Sequence, residues 1–184
     1  MSKKPEIVIF AGPNGSGKST ITKLAKVIEP YINADDIKRS TMCTDLEAAQ
    51  YAEKLRRNAV EQGISFTFET VLSTDRNLLL LEEAKRRGYF IRCIYVLTDN
   101  PQINIARIRG RKLSGGHDVP QEKVVSRYYK ALALLPRLID ICDICHIYDN
   151  SDEQTRIFKK RKEETFLWPT ELWPEERINQ LLGR

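Results

Sequence analysis

No run of apolar residues in this 184-residue chain approaches the roughly 18 needed to cross a membrane. The longest clusters, Leu78 to Leu81 and Ala131 to Leu135, have the length of core segments. The stretch before Phe10 carries two lysines but is too short in apolar residues for an export signal. Four cysteines (Cys43, Cys93, Cys142 and Cys145) are too few for a disulfide scaffold, so reduced thiols in a cytoplasmic protein are expected. Internal repeats and Pro/Gly-rich linkers are also missing, which points to a single domain over residues 1–184. Its family-like core is expected over 7–151, with the tail 152–184, bearing Trp168 and Trp173, packed back on it.

What is present is an ordinary globular balance, 41% hydrophobic and 30% charged, with 30 Lys+Arg against 25 Asp+Glu. The resulting +5 suits an anionic ligand. Strand-length apolar runs alternate with helical patterns, as in a parallel α/β sheet. Strands are expected at 6–11, 31–33, 64–69, 89–97 and 143–148, with an edge strand or exposed face at the charge run 159–162. Helices are expected at 18–28, at 45–62 with Asp45 as cap and Gly63 as stop, and at 74–87, 101–112 and 121–135.

Gly12-Pro13-Asn14-Gly15-Ser16-Gly17-Lys18-Ser19 has the spacing G-x-x-x-x-G-K-[ST] of a P-loop, set between a buried strand and a helix. Glycines let successive N–H groups wrap phosphate oxygens, and the helix that follows directs its positive end at them. Gly12, Asn14, Gly15, Ser16, Gly17, Lys18, Ser19 and Thr20 are therefore the expected ATP-phosphate site. In it Lys18 reaches the β- and γ-phosphates and Ser19 holds Mg²⁺. A plain glycine-rich turn would leave Lys-Ser at that offset unexplained.

The motif alone does not choose a reaction. A GTPase would carry Asn-Lys-x-Asp, which is absent. Leu113-Ser114-Gly115-Gly116-His117 resembles a transporter-ATPase signature, yet the strand after it ends in Asp149-Asn150 with no catalytic Glu. A phosphotransferase needs a carboxylate to orient or deprotonate the attacking hydroxyl. Asp35, in Asn33-Ala34-Asp35-Asp36, is the candidate, whereas Asp36 is read as a helix cap. Glu69, in Phe66-Thr67-Phe68-Glu69-Thr70, supplies a second carboxylate at a strand end, for metal-bound water or an acceptor hydroxyl. The alternative there is an ion pair with an arginine.

Arg107 and Arg111 share a helix face, and Arg127 follows the glycine loop; such arginines can close on a transferring phosphoryl. A solvated basic face is the alternative. His117 can touch substrate or hold its own loop. Cys142-Asp143-Ile144-Cys145-His146 matches a haem-attachment pattern, but the isoleucines around it make it a core segment, so buried inert thiols are expected.

Taken together, these residues resemble the zeta-toxin family of P-loop kinases over Ile7 to Ser151. The resemblance rests on the P-loop, Ile32-Asn33-Ala34-Asp35, Phe68-Glu69-Thr70, Arg107-x-x-x-Arg111, Gly115-Gly116-His117-Asp118-Val119-Pro120, Arg127-Tyr128 and Asp149-Asn150-Ser151. It implies an adenylate-kinase-like parallel sheet flanked by helices on both faces. It also implies ATP and Mg²⁺ as cofactors, and transfer to a sugar hydroxyl such as that of UDP-N-acetylglucosamine. Asp35 would then be the catalytic base. Glu69, with Thr70 and His117, would contact substrate, and Arg111 and Arg127 would clamp phosphates. An antitoxin is the protein partner it allows. The chain is shorter than the toxins, and Asn33-Ala34-Asp35 stands where they have an Asp-Gly-Asp type of sequence.

A nucleoside, nucleotide or polynucleotide kinase, and a nucleotide-gated binding ATPase, are the competing readings. No aromatic–basic interleaving along the chain marks a single-strand binder, which counts against nucleic acid as a partner.

Overall fold

The computed structural model describes residues 4–113 and 119–184. Its centre is β1 (Glu6–Ala11), whose burial is complete from Ile7 onward because it lies between two neighbours. On one side are β3 (Phe66–Thr70) and β2 (Tyr31–Ile32), on the other β4 (Phe90–Leu97) and β5 (Ile144–Asp149), all parallel. Two antiparallel strands, β6 (Thr155–Arg161) and β7 (Glu164–Leu167), extend the sheet to seven in the order β2-β3-β1-β4-β5-β6-β7. The chain leaves β1 towards β3 and later returns to its other side, so the carboxyl end of β1 is a topological switch point. Open α/β sheets bind ligands at such points.

The helices are α1 (Lys18–Leu24), α2 (Ala34–Thr41), α3 (Asp45–Gln62), α4 (Arg76–Arg86), α5 (Pro101–Leu113), α6 (Gln121–Ile141) and α7 (Glu175–Leu181). Residues of α3, α4, α6 and α7 join Ile7, Ile9, Phe66, Phe68, Ile91, Tyr95 and Ile147 in one core on one sheet face. The other face is covered by α1 near β1 and β3, where Thr22 meets Glu69. Trp173, Ile178 and Leu182 bury the tail in that main core, each worth about 1.5–3 kcal/mol on full burial.

Most strand ends fall within two residues of the sequence reading, and three helix boundaries differ for a clear physical reason. Helix α1 ends at Leu24 rather than residue 28, because the chain then turns extended to run beside β3. There the Ile28 N–H donates to Thr67 Oγ1 and the Thr67 N–H to Pro30 O. Thr44, not Asp45, caps α3: its hydroxyl accepts from the Glu47 N–H while Glu47 accepts from the Thr44 N–H, a reciprocal capping box. Asp45 lies against Lys38 at 2.7 Å. Helix α6 runs through Pro136 to Ile141. Leu135, Leu138 and Ile139 hold it on the core, and Lys160 Nζ donates to the carbonyls of Ile139 and Asp140 at 2.7 and 3.1 Å.

The pleat splits the haem-like motif. Cys142 and Cys145 are buried with Cys93 in the core, and burial pushes the Cys93 and Cys142 thiols up. His146, the next residue in β5, faces the opposite side of the sheet. Burial, followed by the charges of Arg156, Lys159 and Arg92, pulls His146 down from 6.5 to about 4. A depressed folded-state value means the unfolded chain takes up the proton first, so His146 favours folding fully above about pH 6.5. That contribution fades as the pH falls towards 4. The melting temperature should therefore fall between these pH values, and less steeply in His146→Gln; equal slopes in both proteins would refute the assignment. Among the described residues no helix is long and apolar enough to cross a membrane.

Candidate active site at the switch point

Residues 12–17 form the loop between β1 and α1, and its glycines are dictated by contact. Gly12 has φ +140°, and a Cβ there would stand 2.0 Å from Val96 O. At Gly17, with φ +98°, a Cβ would meet Asn150 Nδ2 at 2.3 Å. The first clash is with backbone of the neighbouring strand and the second with a side chain that braces the loop, so neither relieves itself cheaply. The bracing comes from two other segments. Asn104 of α5 donates to Asn14 O at 2.7 Å, and Asn150, just after β5, donates to Ser16 O at 2.8 Å. Asn104 is itself fixed by the buried Thr98 hydroxyl.

Lys18 folds back over the loop, donating from Nζ to Gly12 O at 2.7 Å and Pro13 O at 3.0 Å. Burial lowers it from 10.5 to about 8; the charges of Glu69 and Asp35 oppose that fall, and Arg111 adds to it. The charges of three sequence-predicted residues, from α2, β3 and α5, therefore act on Lys18 of α1.

Glu69 is the best-held of them. Its Oε1 accepts from Thr22 Oγ1 at 2.8 Å and Tyr31 OH at 2.7 Å, and its Oε2 faces Ser19 Oγ at 3.4 Å. The arginine ion pair weighed for Glu69 is replaced by these hydroxyls. They stabilise the carboxylate where an apolar strand end would not. Tyr31 in turn accepts from Asn33 Nδ2 at 3.0 Å, and burial followed by the Glu69 bond pushes its hydroxyl up.

Asp35 occupies the first turn of α2, which Asn33 caps by accepting from the Asp35 N–H at 2.9 Å. Asn33, not Asp36, is thus the cap, and Asp36 pairs with Arg39 instead. The Asp35 carboxylate stays exposed.

Other predicted residues are engaged differently. The Thr70 hydroxyl accepts from the Leu72 N–H and from Asn77 Nδ2 at 3.0 and 2.8 Å, shaping the turn after β3. Ser16 is buried, and Ser16 Oγ and Asn14 Oδ1 lack partners among the described residues. Thr20 is exposed, and its N–H starts α1 by donating to Gly17 O. Arg107 Nη2 donates to Ser151 O at 3.1 Å, with Nη1 buried and unpartnered among the described residues. Arg127 is half-buried on α6, next to Tyr128, whose hydroxyl donates to Thr98 O beyond β4. His117 and its glycines, Gly115 and Gly116, lie outside the described residues.

Sequence reasoning missed Thr22, Tyr31 and Asn104. Thr22 could have been found as the polar residue one turn after Lys18, on the same helix face. Tyr31 and Asn104 carry no such signal, because their partners are distant in sequence.

A glycine cradle at the switch point of a mostly parallel sheet, with its lysine closed over it, defines a P-loop NTPase of the kinase kind. The family model described as Zeta toxin matches residues 29–163, and the chain belongs to that family, as a phosphotransferase. That match begins beyond the P-loop, so cradle and family evidence are independent.

An uncharacterized protein of Haemophilus influenzae is 31% identical over 127 residues, covering 66% of this chain and 91% of its own. Among solved structures, one from the PezAT chromosomal toxin–antitoxin system of Streptococcus pneumoniae superposes with TM-score 0.64 at 18% identity. The match covers all of this chain and 89% of that one. The AvrRxo1-ORF1:-ORF2 complex with ATP gives TM-score 0.73 at 14% identity, over 97% of this chain and 64% of that chain. This chain thus spans just under two thirds of the latter's length, and at such identities the likeness is one of fold.

Proposed function

We propose that the protein, acting as one domain, is an ATP- and Mg²⁺-dependent small-molecule kinase. It moves the γ-phosphoryl to a hydroxyl of a sugar or nucleotide-sugar resembling UDP-N-acetylglucosamine. The observation that carries this reading is the glycine cradle closed by Lys18, whose ammonium feels the charges of Glu69, at the end of β3, and Asp35, in the first turn of α2. Lys18 and the loop N–H groups would hold the triphosphate, and Asp35 would orient the acceptor hydroxyl and take its proton. Arg111 would oppose the charge in flight. Arg107, through its unpartnered Nη1, and Arg127 would complete the clamp. Most of the rate would come from such positioning and electrostatics.

The donor set suits Mg²⁺: a serine hydroxyl and a carboxylate oxygen, both hard ligands, face each other at 3.4 Å. Ser19 would hold the ion, with Glu69 Oε2 receiving it or its water. When bound, Mg²⁺ neutralises charge on the β- and γ-oxygens.

Supplying Mg-ATP with a panel of sugars, nucleotide-sugars and nucleosides should yield an acceptor heavier by one phosphoryl group. ATP consumed with no phosphorylated acceptor anywhere in the panel would refute transfer. Glu69→Gln should raise the Mg²⁺ concentration for half-maximal rate about tenfold. A change confined to the acceptor KM would reassign Glu69 to the acceptor. The family of the chain and the PezAT likeness together support an antitoxin protein as partner, tested by co-expression for relief of growth arrest.

A further inference from the structure

Burial alternates strictly along β5 and through most of β4: one side is fully buried and the other is not. The less buried side carries Arg92 and Ile94 of β4 and Ile144, His146 and Tyr148 of β5. Register continues the same face across β6 and β7. His146 stands opposite Lys159, Tyr148 opposite Arg156, Lys159 opposite Phe166 and Arg161 opposite Glu164. Parallel strands are ordinarily covered on both faces, so this one calls for an occupant.

Its side chains form an ordered array. The rings of His146 and Tyr148 are nearly parallel, 9° apart with centroids at 6.2 Å. Those of Phe166 and Trp168 stack at 6.3 Å. Arg156 lies 4.2 Å over the Trp168 ring, and Lys159 5.8 Å over Phe166. Phe166 is 44% and Trp168 37% exposed. The acids on this face are Glu6, held by Arg92 at 2.8 Å, and Glu164 at the hairpin end. No carboxylate pairs with Arg156 or Lys159 among the described residues, and His146 Nδ1 and Arg156 Nε, both buried atoms of half-buried side chains, lack hydrogen-bond partners there. The depressed His146 value leaves that ring neutral near pH 7, a planar surface rather than a fourth cation.

We propose that this open face of β4–β7 binds single-stranded RNA. Bases would stack on Tyr148, His146, Phe166 and the Arg156–Trp168 pair, and phosphates would meet Arg156, Lys159 and Arg161. An occupant must bring planar apolar faces and negative charge together, spread over a flat sheet. Unstacked nucleotides do both. A duplex hides its base faces, and a protein hot spot calls for a desolvated pocket rather than a flat array with free cations. Stacking and phosphate contact do not read the sugar. RNA is chosen because it is the polynucleotide that cells hold largely single-stranded.

Trp168 is a built-in reporter, since Trp173 is 98% buried, at 2% exposure. Titrating the full chain with a mixed-sequence 12-nucleotide RNA should quench Trp168 emission and raise the anisotropy of labelled RNA, with a low-micromolar Kd. With three phosphates neutralised, log K should fall against log salt with a slope of about −2. Phe166→Ala should weaken binding at least about tenfold. Arg156→Gln with Lys159→Gln should weaken it and flatten the slope, in proteins whose circular dichroism is unchanged. DNA of the same sequence binding within threefold supports the stacking mode, and DNA binding more than tenfold tighter overturns RNA as occupant. Unchanged emission and anisotropy to about 100 µM RNA refutes the proposal and leaves a protein as occupant. Equal affinity for duplex RNA refutes it too.

Discussion

Asp35→Asn should lower kcat for phosphoryl transfer at least about 100-fold while the KM for ATP stays within about twofold. Asparagine keeps the size and the position in the first turn of α2, where the backbone is already fixed by the Asn33 cap. What it removes is a proton acceptor and a charge that Lys18 feels. Because Asp35 is exposed and its carboxylate is free of the cap, the variant should melt within about 1 °C of the parent, a surface change away from the core. The KM-against-kcat split is the decisive reading. An unchanged kcat would strip Asp35 of its role as base and leave the cradle as a nucleotide binder.

Lys18→Ala carries an effect at least as large and should appear in ATP binding as well as turnover. Its ammonium does two things in this structure. It ties the carbonyls of Gly12 and Pro13, bracing the loop, and in the proposed reaction it would bring positive charge to the β- and γ-phosphates. Losing both should reduce kcat/KM for ATP at least about 100-fold.

The pH dependence follows from the lowered value of about 8 in the free protein. Below that pH Lys18 is charged and ATP affinity should be flat. Above it the free protein must first regain a proton to bind, so affinity should fall with rising pH, by up to tenfold per unit. The fall ends once the pH exceeds the higher value that the lysine takes beside phosphate. Calorimetric titration from pH 7 to 9.5 reads this directly. In Lys18→Ala the fall should be missing, and a parent profile flat to pH 9.5 would contradict the burial argument.

The Glu69 hydroxyl cluster shows where reading along the chain stops. Glu69 was visible as a carboxylate ending an apolar strand, and Ser19 as the last residue of a motif. That they would be 3.4 Å apart, with Thr22 and Tyr31 closing on the same carboxylate, depends on β2 and β3 pairing in a register no local pattern encodes. Likewise Asn104 carries no signal in sequence and Asn150 enters only as part of the resemblance, yet they clamp the P-loop from segments 90 and 134 residues away. The aromatic–basic face is the extreme case. Its residues come from four strands, and along the chain they show no interleaving at all.

The sequence by itself determined the local matters: alternating strands and helices, the stop of α3 at Gly63, and a glycine-and-lysine loop of P-loop spacing between a strand and a helix. These follow from short-range sterics, hydrogen bonding and hydrophobic period, which neighbours within a few residues settle. Tertiary structure decided which carboxylate meets which hydroxyl, which asparagines hold the cradle and which sheet face stays open. Each is a contact between segments that only strand order brings together, and the burial that drives such contacts is non-directional until the fold gives it a geometry.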